Sequence, residues 1–530
     1  MSERPNNREA HMTRRHALLS IGSAALLALQ SSCSSKESKS VSPVSSQSGK
    51  EPATEPLHYS SLRDVARRIQ SMKISPVDLT TRMLDRIAAV DPKLKSYATV
   101  MQEQALEGAK RAEEEIQRGM YRGPLHGVPI AVKDLCYTKG VRTMAGTSIY
   151  ANFIPDHDAT VVTKLRQAGA VFLGKLNLTE GAMVGYNPAR DIPINPWRGD
   201  LWAGVSSSGS GVATPAGLCY GSIGTDTGGS IRYPSAANGI VGLKPTYGRV
   251  SRYGVFPLAE SLDHVGPMVR RAGDAAVMLE AIAGFDSNDP TSLRDPVPHM
   301  LDELDKGVRG LRIGFDRHFA TEGIHPEQSA AIEAAVDVVR HLGAQIVDVQ
   351  MPNVTGIRDM WLILCAKEAV TSHAANFPSR KNEYGPYFRE FLEMGAAVSA
   401  ADYAKASQYR KDLSMKYRAV LSTVDAFAYP AGNGGAFSIS KEAQYGSMAD
   451  FNAARDKYAN SYNPPLGPSA YTYQADLSGT PTITLSVGFS SEGLPLSMQF
   501  AGKALSEPTL CRIGHAYEEA TGWYKKHPNV

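Results

Sequence analysis

The sequence predicts one large α/β domain behind an export segment. Two patterns predict the domain: apolar residues recur alternately at helical and strand periods from residue 57 to the C-terminus, and no second linker-like tract divides the chain after position 56. Composition agrees, since 530 residues with 42% hydrophobic content can bury a large core. A formal net charge of +3, with acidic and basic residues interspersed, leaves no basic face for nucleic acid. Five cysteines (Cys33, Cys136, Cys219, Cys365, Cys511) lack CxxC spacing, which argues against a zinc site and a dense disulfide framework.

Residues 1–33 read as an export signal. Arg14 and Arg15 precede an apolar run over 17–29, too short to cross a bilayer but suited to a signal peptide, and Thr13-Arg14-Arg15-His16-Ala17-Leu18 resembles a twin-arginine signal. Ser31 and Ser32 before Cys33 resemble a lipoprotein processing site, with Gln30 where an aliphatic residue is expected, so a lipidated Cys33 holding the protein to a membrane and plain secretion both stay open. The Ser/Lys/Pro-rich tract 34–56 cannot bury apolar area and reads as a flexible tether. Either way the expected location is periplasmic or extracellular.

The domain itself, 57–530, opens with a helix carrying Leu62, Val65, Ala66 and Ile69, then a second one begun by Ser75-Pro76 and stopped by Asp91-Pro92. A third helix spans 102–118 and breaks at Gly123-Pro124. The pattern then turns to strand at 127–134, with Lys133 at its end, either covering apolar surface with its stem or serving as a functional amine. An αβ unit follows over 159–174, and another over 327–349. Helical pattern dominates 357–421, a short strand lies at 426–430, strands lie at 481–487 and 494–500, and Ser506 opens a last helix.

The densest chemistry lies in the Gly/Ser-rich stretch 204–232, because glycines beside serines let backbone N–H groups approach a reacting oxygen. No GxSxG elbow is present; Gly217-Leu218-Cys219-Tyr220-Gly221 fits the cysteine version but follows a small-residue, helical run over 212–218, which favours a buried structural cysteine. His126, His157 and His264 have no motif around them, so the serines lack an evident imidazole base.

Lys133-Asp134, Gly204 to Ser210, Gly224 to Arg232, and Gly239 to Thr246 continuing through Gly266-Pro267 resemble the amidase signature family of serine hydrolases, in that family's order and spacing, with the signature core over about 125–270. The resemblance implies a central mixed β-sheet flanked by helices on both faces. It implies a Ser-Ser-Lys triad with Ser230 as nucleophile, Ser206 as bridging serine and Lys133 as base, and an oxyanion hole from the backbone N–H groups of Thr227, Gly228, Gly229 and Ser230. Ser207, Asp226 and Arg232 are expected to support the loop. The implied reaction is hydrolysis of a small-molecule or peptide amide without metal or organic cofactor. Two positions depart from the pattern: Val205 stands where glycine usually precedes the bridging serine across a cis peptide, and Leu135 replaces the usual Asn after Lys-Asp. A transamidating subunit that makes glutaminyl-tRNA belongs to the same family, and a non-catalytic exported solute-binding protein is the alternative of another class. The segments 433–447 and 462–473 are expected to line the pocket.

Overall fold

Eleven strands of the computed structural model, which describes residues 55–460 and 471–530, join in one sheet. The expected signal over 1–33 and the tether up to Thr54 lie outside the described residues. In chain order the strands are β1 Tyr97–Val100, β2 Pro129–Lys133, β3 Val171–Leu176, β4 Gly221–Asp226, β5 Val241–Lys244, β6 His264–Val269, β7 Arg312–Phe315, β8 Gln345–Asp348, β9 Ala426–Pro430, β10 Thr482–Phe489 and β11 Pro495–Ala501. Across the sheet they run β1-β3-β2-β4-β6-β5-β10-β11-β9-β7-β8. The sheet is mixed: β2 is parallel to both β3 and β4, β7 is parallel to β8 and β9, and the remaining pairs are antiparallel. Helices flank it, so its inner strands are covered on both faces, and every residue of β2, β3, β4 and β9 is buried.

The helical periods map onto real helices with capped starts. Ser61 accepts from the Asp64 N–H ahead of the helix Leu62–Gln70, and Ser75 accepts from Val77 and Asp78 ahead of Pro76–Leu94, where Pro76 occupies the first turn at no hydrogen-bonding cost. One expected boundary differs. The second helix does not stop at Asp91-Pro92 but runs to Leu94, because the Asp91 carboxylate turns back to receive the Ser96 and Tyr97 N–H groups and secures the exit of the chain into β1. A second boundary differs near the glycine-rich stretch, where the helix covers Ser208–Ala213 rather than 212–218. Gly217, at φ +68, then turns the chain toward Cys219, which is buried, unpaired and pushed up to about 11 by desolvation, as a structural cysteine should be.

This topology decides where chemistry can occur. Parallel β2 and β4 are in register at Val132↔Ile223, so their C-terminal ends, Lys133 and Thr225-Asp226, emerge side by side, the position at which α/β sheets present ligand-binding groups.

Candidate active site

Lys133 ends β2 with its whole side chain buried. Its amine lies 2.7 Å from Ser206 Oγ, 2.9 Å from Ser207 Oγ and 2.8 Å from Thr225 Oγ1. Burial lowers this amine from its ordinary 10.5 to about 7, against smaller opposing effects from Cys136, Asp226 and Asp263. Ser206 and Ser207 come from the segment that enters the helix Ser208–Ala213, and the Val205–Ser206 peptide is cis despite the valine. Ser207 ties this segment to β4, donating to the Thr225 carbonyl at 3.2 Å and receiving the Thr225 N–H at 3.2 Å.

Beyond β4 the chain turns through Thr227, Gly228, Gly229 and Ser230 into the helix Arg232–Asn238. Asp226 organises that turn. Its carboxylate accepts from the N–H groups of Gly229 (2.6 Å), Ile231 (3.0 Å) and Arg232 (3.3 Å), and from the Arg232 guanidinium at 2.9 and 3.0 Å. Burial alone would push Asp226 up, but the charge and hydrogen bonds of Arg232 hold it far below the usual carboxylate range. Arg232 also donates to Asp476 (2.6 Å) and to the Thr472 carbonyl (2.9 Å). Asp476 is raised well above the usual range by burial and by the neighbouring Asp226 charge, against the opposing charges of Arg232 and the buried Lys244. Gly229 sits at φ +127, and a Cβ there would meet the Tyr233 ring at 2.6 Å, so only glycine fits.

Of the four expected oxyanion donors, Gly229 is thus turned onto Asp226. The N–H groups of Thr227, Gly228 and Ser230 have no hydrogen-bond partner among the described residues, and these three residues line a cavity of about 140 Å³. The Ser230 hydroxyl also has no partner there; its carbonyl, held 3.3 Å from the Ser207 N–H, keeps the two serine segments together. Trp361 packs against Gly228 and donates to the Thr227 carbonyl at 2.8 Å, while Trp202, Tyr233, Tyr387, Phe437 and Tyr473 make the wall largely aromatic. Its charged side chains are Arg358 and Arg455, the latter paired with Asp456 at 2.7 Å.

Comparison with known proteins fits this arrangement. A family model described as Amidase matches residues 78–511. The chain belongs to the amidase signature family. It is 41% identical to "Putative amidase AmiD" of Mycobacterium tuberculosis, over 88% of this chain and 96% of that protein. It is 36% identical to a glutamyl-tRNA(Gln) amidotransferase subunit of Geobacter metallireducens, over 88% of this chain and 99% of the relative. Among solved structures it resembles the peptide amidase from Stenotrophomonas maltophilia, with a TM-score of 0.77, 32% identity, and coverage of 89% of this chain and 98% of that one.

The amidase-family residues expected from sequence therefore converge: Lys133, Ser206 and Ser207 in one cluster, Ser230 beside it, and Asp226 and Arg232 beneath. Thr225 is an addition. Nothing in its local sequence marks it, and only the β2/β4 register brings its hydroxyl to the amine. Leu135 is buried in the core and makes no polar contact through its side chain; the polar groups after Lys133 are served by Lys175, which donates to the Cys136 carbonyl (2.7 Å) and Thr143 (2.6 Å) and lies 3.5 Å from Asp134. Of the three histidines, His126 pairs with Glu115 and His157 with Asp156, whereas His264 meets the Leu262 and Asp226 carbonyls at 2.7 and 3.2 Å and lies 3.6 Å from Asp476, within the scaffold of the turn. Of the two segments expected at the pocket, 432–437 lines it, as does Tyr473, whereas 461–470 lies outside the described residues. Among the described residues no group of three His, Cys, Asp or Glu side chains is placed to hold a metal ion.

Proposed function

We propose that the protein hydrolyses a carboxamide C–N bond through an acyl-enzyme on Ser230, with Ser206 as relay and Lys133 as base. The observation that carries this reading is the buried, proton-poor amine 2.7 Å from Ser206, beside a serine open to a pocket. Hydrogen-bond arithmetic supports the direction of the relay. A neutral amine has two N–H donors and one lone pair. Ser207 already gives its proton to the Thr225 carbonyl, so it accepts one N–H; Thr225 Oγ1 accepts the second; the lone pair is left for the Ser206 O–H. As Ser230 Oγ bonds to the amide carbon, its proton passes to Ser206 and the Ser206 proton to Lys133. The carbonyl oxygen gains charge against the open N–H groups of Thr227, Gly228 and Ser230, each such donor contributing about 3 kcal/mol in the transition state. The C–N bond then breaks as Ser206 gives one proton to the leaving nitrogen and takes one back from Lys133, and water cleaves the ester by the same route.

The test is Ser230→Ala together with labelling by a serine-directed fluorophosphonate. Turnover and labelling should both vanish while the protein keeps its melting temperature, since the hydroxyl has no partner among the described residues. Undiminished amide hydrolysis by the variant would overturn the assignment. The likeness to the glutamyl-tRNA(Gln) amidotransferase relative favours a second reading, in which glutamine is the amide cleaved and a partner uses the ammonia. Cell fractionation separates the two, because export, which we propose from residues 1–33, is incompatible with that cytoplasmic task.

A further inference from the structure

Asn433 lies on the pocket wall shared with Thr227, Gly228 and Ser230 and is only 5% exposed. Its side-chain Nδ2 and Oδ1 are both buried and have no hydrogen-bond partner among the described residues. Leaving a buried amide unpaired at both ends costs about 1 to 3 kcal/mol for each group, a cost that a cavity occupant pairing with both ends would remove. The loop is otherwise anchored. The Asn433 carbonyl receives the His325 N–H at 2.8 Å, the Gly435 carbonyl receives the Tyr458 hydroxyl at 3.1 Å, and buried β9 leads into it.

Its neighbours define what can occupy the space. Gly432, Gly434 and Gly435 surround Asn433, so the loop carries one polar side chain on a wall without Cβ atoms. At Gly432 the nearest atom to a hypothetical Cβ is 4.0 Å away and at Gly435 it is 3.4 Å away, so both positions are bare by sequence rather than by crowding. A bare glycine wall admits the close approach of another backbone. An Asn amide presents a donor and an acceptor side by side, and the N–H and C=O of one extended peptide residue offer the complementary pair on one edge. A lone carbonyl, an ester or an aryl ring satisfies at most one of the two.

We propose that Asn433 binds the N–H and C=O of the residue that precedes the amidated one, so that this enzyme acts on C-terminally amidated peptides of at least two residues, the last side chain lying against the aromatic wall. This rests on the pocket being the amidase site. The matched probes are N-acetylalanylphenylalanine amide and N-propanoylphenylalanine amide, which share the scissile carboxamide, the ring and the adjoining C=O but differ in the acetamido group, so only the first offers an N–H and a C=O on one edge. The native protein should prefer the first, and Asn433→Ala and Asn433→Leu should each reduce the ratio of the two kcat/KM values by about 10- to 100-fold, as for loss of a buried hydrogen-bonding pair. A ratio within twofold of native in both variants would overturn the proposal and assign the amide to bound water. A binding measurement separates this failure from failure of the amidase reading: Ser230→Ala should bind N-acetylalanylphenylalanine amide about 10- to 100-fold more tightly than Ser230→Ala/Asn433→Ala. Equal affinities would refute the subsite whether or not either amide is hydrolysed. Absence of turnover with both probes and of Ser230 labelling would instead strike at the proposed chemistry.

Discussion

Removing the Lys133 amine should erase the acid limb of the pH–rate profile. An amine at its ordinary 10.5 is neutral in only about 0.03% of molecules at pH 7, whereas one lowered to about 7 is neutral in about half, roughly a 1,600-fold gain in usable base. The cause is desolvation, and the lowering corresponds to about 5 kcal/mol of preference for the neutral form. For the native enzyme, kcat/KM on a neutral amide should therefore rise about 50-fold between pH 5 and 7 and level off above pH 8. Lys133→Ala should lose most activity, and its residual rate should lack this limb. Glu180, pushed up to about 7 by burial, titrates in the same range, so Glu180→Gln serves as control and should keep the limb. Stability supplies an independent reading. Between pH 7 and 10.5 the folded chain holds fewer protons on Lys133 than the unfolded chain does, so this residue makes stability rise with pH across that window, by about 1.4 kcal/mol per unit, and Lys133→Met should remove that increment. An acid limb centred near 4 or above 9, or one that survives in Lys133→Ala, would refute the argument.

Two further substitutions test the scaffold under Ser230, the proposed nucleophile. Arg232→Ala leaves Asp226 and Asp476 buried without their cation, and denaturant titration should show a loss of about 3 to 5 kcal/mol; a midpoint unchanged from native would contradict the role given to the pair. Gly228→Ala brings a methyl to 2.5 Å from the Trp361 ring, which is itself held by the Thr227 carbonyl, so the turn through Thr227, Gly228, Gly229 and Ser230 must move. We expect about 1 to 3 kcal/mol of destabilisation and at least a roughly 100-fold fall in kcat, read by steady-state kinetics; a kcat near native would mean that the turn yields without cost.

What the sequence disclosed and what it withheld divide along physical lines. Helices such as Pro76–Leu94, and the apolar β2 and β9, announce themselves through period and caps, which depend on neighbours a few residues apart. β4 reads as a glycine-rich loop because Gly221 and Gly224 have poor strand propensity; it becomes a strand because β2 and β6 satisfy its backbone from both sides, a tertiary effect that overrides propensity. The candidate site repeats this division. Residue types and their family order were enough to single out Lys133, Ser206 and Ser230, although 73 residues separate the amine from its nearest serine. Thr225 needed the strand register, and the inward turn of the Gly229 N–H needed the Asp226 carboxylate to be fixed by Arg232 from the far side. Asn433 is the extreme case. Its composition, one amide among glycines, resembles any flexible loop, and only the buried, unpaired position of both its side-chain polar atoms, on the wall shared with Ser230, makes it the group we propose to select among substrates.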